Sequence, residues 1–101
     1  MFSVIWKYKI KPVNREAFEF EYGAVGSWCK LFGKSADYKG SFLHKSADGE
    51  NTYFLIDTWI TKDSYELFKK MYADIYTKLS SQFEYLYITE EKIGAFNSVN
   101  S

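Results

Sequence analysis

The first positions of the chain alternate between apolar and polar side chains with a period of two. One face is wholly apolar and carries Phe2, Val4, Trp6, Tyr8 and Ile10. The other face carries Ser3, Ile5 and three lysines. This alternation is typical of a half-buried β-strand, and Pro12, which lacks a backbone N–H, ends it. We therefore predict a first strand over residues 2–11.

A helical pattern follows the first strand in two pieces. Asn14 is the predicted N-cap of a helix that continues to Gly23, with Glu16 in its first turn. Gly26 interrupts the chain before a second, short helical piece that ends at Gly33. Gly23 and Gly26 are spaced as GxxG, but no P-loop sequence surrounds them, so we interpret them as helix punctuation.

The next two strands are predicted at 38–45 and 52–60, joined by the turn-rich loop 46–51. The third strand is largely apolar on both faces, because Phe54 and Ile56 alternate with Leu55 and Trp59. A strand of this kind is covered on both sides. Helices of a small one-sheet domain cover only one face, so the pattern predicts a homodimer through the other sheet face.

The second half of the chain predicts a long helix and a last strand. Thr61 is the predicted N-cap of one amphipathic helix over residues 62–80, and Thr89–Phe96 is the predicted last strand. The order β-α-β-β-α-β indicates an α+β, ferredoxin-like fold with an antiparallel sheet. We expect a single domain over residues 1–97 and a frayed tail over 98–101.

Aromatic residues make up 21% of the 101 residues, with nine Phe, nine Tyr and three Trp. A chain this short leaves roughly a third of its unfolded-state surface exposed. The rings therefore need a partner or a ligand pocket in addition to the core. Composition alone favours neither of these two explanations.

Charge and residue counts exclude several classes of function. Thirteen basic and thirteen acidic residues balance, which argues against a nucleic-acid or membrane-surface binder. One cysteine and one histidine exclude a disulfide framework and a metal site built from several Cys or His ligands. No apolar run reaches about 18 residues and no signal peptide is recognised, so we expect a cytoplasmic protein without a membrane span.

Asp57 is the main candidate for chemistry, because it lies inside an apolar run of the third strand. A buried carboxylate is costly unless it is paired or hydrogen-bonded. Its partner is either a structural one, such as a tyrosine hydroxyl or Arg15, or a ligand that Asp57 serves as acid, base or acceptor. His44, near the end of a strand, is either an exposed rim residue or a substrate-binding residue.

Several aromatic residues are candidates for a pocket. Trp6 and Trp59 lie on the inward faces of two strands, and Tyr72 and Tyr76 lie one turn apart on the long helix. An aromatic stripe at helical spacing belongs by default to the core. The polar ends of Tyr and Trp would instead suit a flat aromatic ligand if they converge on one cavity.

The chain resembles the antibiotic biosynthesis monooxygenase-like family of dimeric α/β barrel proteins. The resemblance covers nearly the whole chain and is carried by a series of short motifs rather than by one. These are Tyr22-Gly23, Gly26-x-Trp28, Leu31-Phe32, Tyr38-x-Gly40, Leu43, Tyr53, Ile56-Asp57-x-Trp59, Tyr65-x-x-Phe68, Tyr76, Leu79, Glu90 and Ile93-Gly94-x-Phe96.

The resemblance implies a homodimer of two ferredoxin-like sheets packed face to face, with a pocket between sheet and helices in each subunit. It implies a cofactor-independent monooxygenase acting on a small aromatic, polycyclic or quinone-type molecule. Asp57 and Trp59 are then the expected catalytic residues, and the expected substrate-binding residues are Trp6, Trp28, Tyr72, Tyr76 and His44. The haem-degrading branch needs a histidine on the second helix, and residues 62–80 contain none. The alternative is a non-catalytic dimeric ligand-binding or stress-response module.

Overall fold

The computed structural model describes residues 1–49 and 51–99, which form one four-stranded sheet and four α-helices. The strands are Phe2–Ile10 (β1), Tyr38–Lys45 (β2), Thr52–Trp59 (β3) and Tyr87–Asn97 (β4). The helices are Arg15–Tyr22 (α1), Ser27–Phe32 (α2), Lys62–Met71 (α3) and Ala73–Phe83 (α4). The strand order is β2-β3-β1-β4 and all neighbours are antiparallel. The predicted α+β, ferredoxin-like class is confirmed.

The register of the two central strands separates the inner face of the sheet from the outer face. Val4 lies opposite Asp57 and Tyr8 lies opposite Tyr53, and all four side chains are buried against the helices. Directly opposed residues of antiparallel strands point to the same side. The core is therefore the layer between this inner face and the helices, and the outer face has no helix over it within the described part of the chain.

The predicted helix over residues 62–80 is instead two helices, α3 and α4, interrupted at Tyr72. Tyr72 has φ −116° and ψ 27°, outside the helical region. Backbone hydrogen bonds nevertheless continue from Tyr72 to Phe68 and from Tyr76 to Tyr72. The interruption is therefore local and leaves the spacing of apolar side chains in phase, which is why the periodicity indicated one helix. The predicted cap is confirmed, since Thr61 Oγ1 accepts from the Ser64 backbone N–H at 3.1 Å.

The predicted cap at Asn14 is not present. Its side-chain amide donates to the Tyr85 carbonyl at 3.1 Å, and a 3₁₀ turn over Pro12–Asn14 leads into α1 without a side-chain cap. Asn14 thus ties the start of α1 to the segment before β4. Gly26 does separate α1 from α2. The backbone approaches so closely there that a Cβ would lie 2.2 Å from the Glu21 carbonyl oxygen, so only glycine fits.

Strand β2 contains a β-bulge next to Gly40. Tyr38 pairs with Trp59 and Gly40 pairs with Thr58, so Lys39 is an extra residue without an opposite partner. Gly40 has φ +115°, which glycine adopts readily and other residues rarely do. The bulge brings Tyr38 and Ser41 to the same inner face, although they are three positions apart.

The C-terminal tail is described as far as Val99, and residues 100–101 lie outside the described part of the chain. The Ser98 backbone N–H donates to the Met1 carbonyl at 2.8 Å, and the Met1 ammonium donates to Ser98 Oγ at 2.9 Å. Pairing between the two ends of the chain thus extends one residue beyond β4.

Candidate active site

A cavity of about 250 Å³ lies between the inner face of the sheet and the helices. Strands β1, β3 and β4 form its floor, and all four helices contribute to its walls. Most of its lining side chains are aromatic, and these are Trp6, Tyr8, Tyr22, Trp28, Phe32 and Tyr76. The remaining lining residues are Leu55, Asp57, Lys69, Ser80 and Glu90. The cavity therefore combines flat apolar walls with a few ionisable groups, as small-molecule sites commonly do.

Asp57 is the buried carboxylate of this cavity, with 4% of its surface exposed. Burial disfavours its charged form and raises its pKa from 3.8 to about 6, while Ser41 and the Trp6 indole oppose that shift. The Ser41 hydroxyl donates to Asp57 Oδ1 at 2.6 Å. A carboxyl group with this pKa is mostly ionised at neutral pH and can still be protonated there, as general acid–base chemistry requires.

The partner of Asp57 differs from both structural partners expected from the sequence. No tyrosine hydroxyl or Arg15 hydrogen-bonds to it among the described residues; Ser41 does so instead. Arg15 donates to the Asn51 side chain at 2.8 Å, near the other end of β1. The reason is the register of β2 and β3, which sets Ser41 directly opposite Asp57.

Four of the seven site residues predicted from the sequence meet at the cavity. Asp57 and Trp6 come from the sheet, Trp28 from α2 and Tyr76 from α4. The rings of Trp28 and Tyr76 contact each other edge to face at 5.1 Å between centroids. These four side chains thus all contribute to the wall of the cavity.

Trp59, Tyr72 and His44 do not line this cavity. Trp59 is completely buried in the core between the rings of Phe32, Tyr38, Tyr65 and Phe68. Tyr72 contacts the ring of Phe68 at a tilt, beside a second, smaller depression of about 170 Å³. His44 lies opposite Phe54, on the outer face of the sheet, and is exposed.

Sequence reasoning missed three further ionisable groups that line the cavity, Tyr8, Lys69 and Glu90. The Tyr8 hydroxyl donates to Glu90 Oε2 at 2.7 Å. Burial is the main cause that raises the pKa of Tyr8, and the negative charge of Glu90 is the second. Lys69 Nζ lies 5.3 Å from the ring centroids of both Tyr65 and Tyr76. The pairing of Tyr8 with Glu90 depends on the register of β1 and β4. That register is shifted by bulges, so spacing along the chain did not indicate it.

Trp28 brings an unused hydrogen-bond donor to the site. Its indole Nε1 is buried and has no hydrogen-bond partner among the described residues, and the residue lines the cavity. A buried donor without an acceptor is costly. A ligand oxygen placed against it would remove that cost.

Two other features are absent from the described residues. Among them, no three His, Cys, Asp or Glu side chains come close enough together to hold a metal ion. None of their helices is long and apolar enough to cross a membrane.

This chain is similar to known proteins in its three-dimensional structure. No protein-family model and no curated protein matches the sequence. SnoaB from Streptomyces nogalater, a cofactor-independent oxygenase, superposes with a TM-score of 0.72 at 15% identity, over 99% of this chain and 94% of that one. A protein of Bordetella bronchiseptica named as an antibiotic biosynthesis monooxygenase gives a TM-score of 0.74 at 19% identity, over 97% and 96%.

A third protein, from Nitrosomonas europaea and also named as an antibiotic biosynthesis monooxygenase, gives a TM-score of 0.68 at 14% identity, over 98% of this chain and 99% of that one. All three similarities extend over nearly the full length of both chains. Identities in this range establish architecture and not chemistry. The chain has the fold of the antibiotic biosynthesis monooxygenase-like proteins.

Proposed function

We propose that the chain is a cofactor-independent monooxygenase that acts on a small hydroquinol or related phenol. The observation that carries the proposal is the buried Asp57 carboxylate in an aromatic cavity, with a pKa of about 6. Its fold is also that of SnoaB, which is a cofactor-independent oxygenase. In such chemistry the deprotonated substrate is itself the electron donor to dioxygen, so the protein needs a base and a dry, shaped pocket.

The size of the cavity favours a small substrate. A cavity of about 150 Å³ binds benzene, and this cavity of about 250 Å³ is less than twice as large. One or two fused rings therefore fit better than a larger polycyclic system. A substrate oxygen within reach of the Trp28 indole would accept its N–H, and the Lys69 ammonium of the same cavity favours the negative charge that the substrate acquires.

The reaction balances with dioxygen as the only co-reactant. Asp57 takes the proton of a substrate hydroxyl, and the resulting anion transfers an electron to dioxygen. The two radicals combine at a ring carbon, and the proton held by Asp57 passes to the peroxide. Cleavage of the O–O bond and loss of the ring hydrogen release water, so hydroquinol and dioxygen give hydroxyquinone and water. One oxygen atom enters the substrate, and the other leaves as water.

Oxygen uptake with hydroquinols and anthrones of one, two and three rings tests this function. We expect turnover with the smaller compounds and a decrease of at least about 100-fold in Asp57→Asn, the size of a general-base contribution. Asp74→Asn, which changes an exposed aspartate of α4, is the matched control and should keep full activity. Absence of uptake across the panel with an intact fold would refute the monooxygenase.

The same panel separates the enzyme from a ligand-binding or stress-response module. A module of that kind would quench tryptophan fluorescence or raise Tm with the compounds and consume no oxygen. Trp28→Phe keeps an aromatic ring and removes the indole donor. It should weaken binding of compounds that carry an oxygen acceptor more than binding of naphthalene, which carries none.

We also propose that the protein is a homodimer through the outer face of the sheet. Three phenylalanines from three strands are exposed there, Phe42 of β2, Phe54 of β3 and Phe96 of β4. Ile5 and Ile56 lie between them on the central strands. A contiguous apolar surface of this kind is characteristic of a protein–protein interface. Since the helices cover only the inner face, a second copy of the chain is the partner that the face fits.

A further inference from the structure

A chain of hydrogen bonds leads away from Asp57 through β2 to the helices. The Ser41 hydroxyl donates to Asp57 Oδ1 at 2.6 Å, and the Tyr38 and Ser41 hydroxyl oxygens lie 2.5 Å apart. Tyr38 also contacts Cys29 Sγ at 3.3 Å, and the Cys29 thiol donates to the Gly23 carbonyl at 3.2 Å. The two hydroxyls and the thiol can each donate and accept, the Asp57 carboxyl group donates only when it is protonated, and the Gly23 carbonyl only accepts.

The hydrogens of this chain can be arranged in two directions. When Asp57 is ionised, Ser41 donates to it and Tyr38 donates to Ser41. When Oδ1 carries a proton, it donates to Ser41, Ser41 donates to Tyr38, and Tyr38 donates to Cys29. In both arrangements the Cys29 thiol can donate to the Gly23 carbonyl. The side chains thus serve both charge states of Asp57 without moving.

We propose that Ser41 and Tyr38 are positioning residues, which set the proton affinity of Asp57 through this reversible chain of hydrogen bonds. Their role in catalysis rests on the proposed function. Tyr38 strengthens the donation of Ser41 to the carboxylate, because hydrogen bonds in series polarise one another. Burial raises the pKa of Tyr38, so it remains a neutral hydroxyl at neutral pH.

Other ionisable groups surround Asp57 and must be kept constant in any test. They come from β1, β4 and three of the four helices, and each carries an ammonium, a carboxyl or a hydroxyl group. These are Tyr8 of β1, Tyr22 of α1, Tyr65 and Lys69 of α3, Tyr76 of α4 and Glu90 of β4. Substitutions confined to Ser41 and Tyr38 leave all of them unchanged.

The test follows the Asp57 carboxyl carbon by NMR as pH is varied in protein labelled with ¹³C-aspartate, with Asp57→Asn assigning the signal. Ser41→Ala should raise the titration midpoint by about one pH unit, the value of a hydrogen bond to a charged group. Tyr38→Phe, which leaves Ser41 in place, should raise it by a smaller and measurable amount. Ser41→Thr retains the hydroxyl and should stay near the unsubstituted protein.

Tyr72→Phe is the matched control, because Tyr72 packs against Phe68 and takes no part in the chain of hydrogen bonds. If Tyr38→Phe folds and the titration midpoint of Asp57 is unchanged, the proposal is overturned. Phenylalanine keeps the aromatic ring, so a Tyr38 with only a structural role would leave that midpoint where it is. If Ser41→Ala does not fold, Tyr38→Phe alone decides. The NMR titration needs no substrate, so its outcome is independent of oxygen uptake. Where turnover exists, the acid limb of kcat/KM should move with the same midpoint.

Discussion

Asp57 makes folding depend on pH at the scale of a single residue. Its pKa is about 6 in the folded protein and 3.8 when unperturbed. Between these values the folded state holds more protons than the unfolded state, so the free energy of unfolding falls as pH rises from about 4 to 6. Above pH 6 the free energy of unfolding stays lower by the full cost of burying the ionised Asp57 carboxylate, at most about 3 kcal/mol.

Asp57→Asn should therefore stabilise the protein at pH 8 and leave it little changed at pH 4. Urea unfolding at both pH values measures the difference, which we expect to be about 1–3 kcal/mol at pH 8. Asp74→Asn provides the comparison, because its carboxyl group is exposed. Equal stabilisation by Asp57→Asn at both pH values would show that the charge of Asp57 is not the cause.

At this scale the sequence predicted which residue is unusual but not what it contacts. The apolar run around Asp57 indicated a buried carboxylate, and it is buried. The partner Ser41 was missed because its position opposite Asp57 depends on the pairing of β2 with β3. Trp59 was expected at the pocket from its strand and face. It lies on that inner face but is enclosed by other rings, which alternation along a strand does not indicate.

At the scale of elements, strand positions were more predictable than helix continuity. β2 begins and ends where alternation and turn residues placed it, at Tyr38 and Lys45. The break at Tyr72 was missed because it changes backbone angles and keeps the apolar side chains in phase. Periodicity reports the direction of side chains and is insensitive to a local interruption of this kind.

Gly40 should be the least replaceable residue of β2. Its φ of +115° is unfavourable for a residue with a Cβ, so Gly40→Ala should cost about 1–3 kcal/mol of unfolding free energy. Gly49→Ala is the control, since a Cβ there meets its nearest atom at 3.4 Å and the backbone is not in the positive-φ region. Equal losses in the two variants would mean that the bulge carries no particular strain.

At the scale of the whole molecule, the prediction concerns the mass in solution. Light scattering at micromolar concentration should give about twice the chain mass of 11.9 kDa. Phe42→Glu puts a charge on the outer sheet face and should shift the protein towards the monomer. Phe20→Glu, at an exposed phenylalanine of α1, should leave the mass unchanged. A monomer in the unsubstituted protein would leave the apolar outer face without the proposed partner.

The bulge in β2 makes the site depend on how a strand pairs with its neighbour as well as on the identity of its residues. Without the bulge, with every residue of β2 paired in regular alternation, Tyr38 and Ser41 would lie three steps apart and occupy opposite faces of the sheet. Every functional side chain would still be present in the sequence, in the same order. A search for relatives of this site should therefore consider the pairing of the strand together with its residue types, because loss of the bulge alone would separate the two hydroxyl groups.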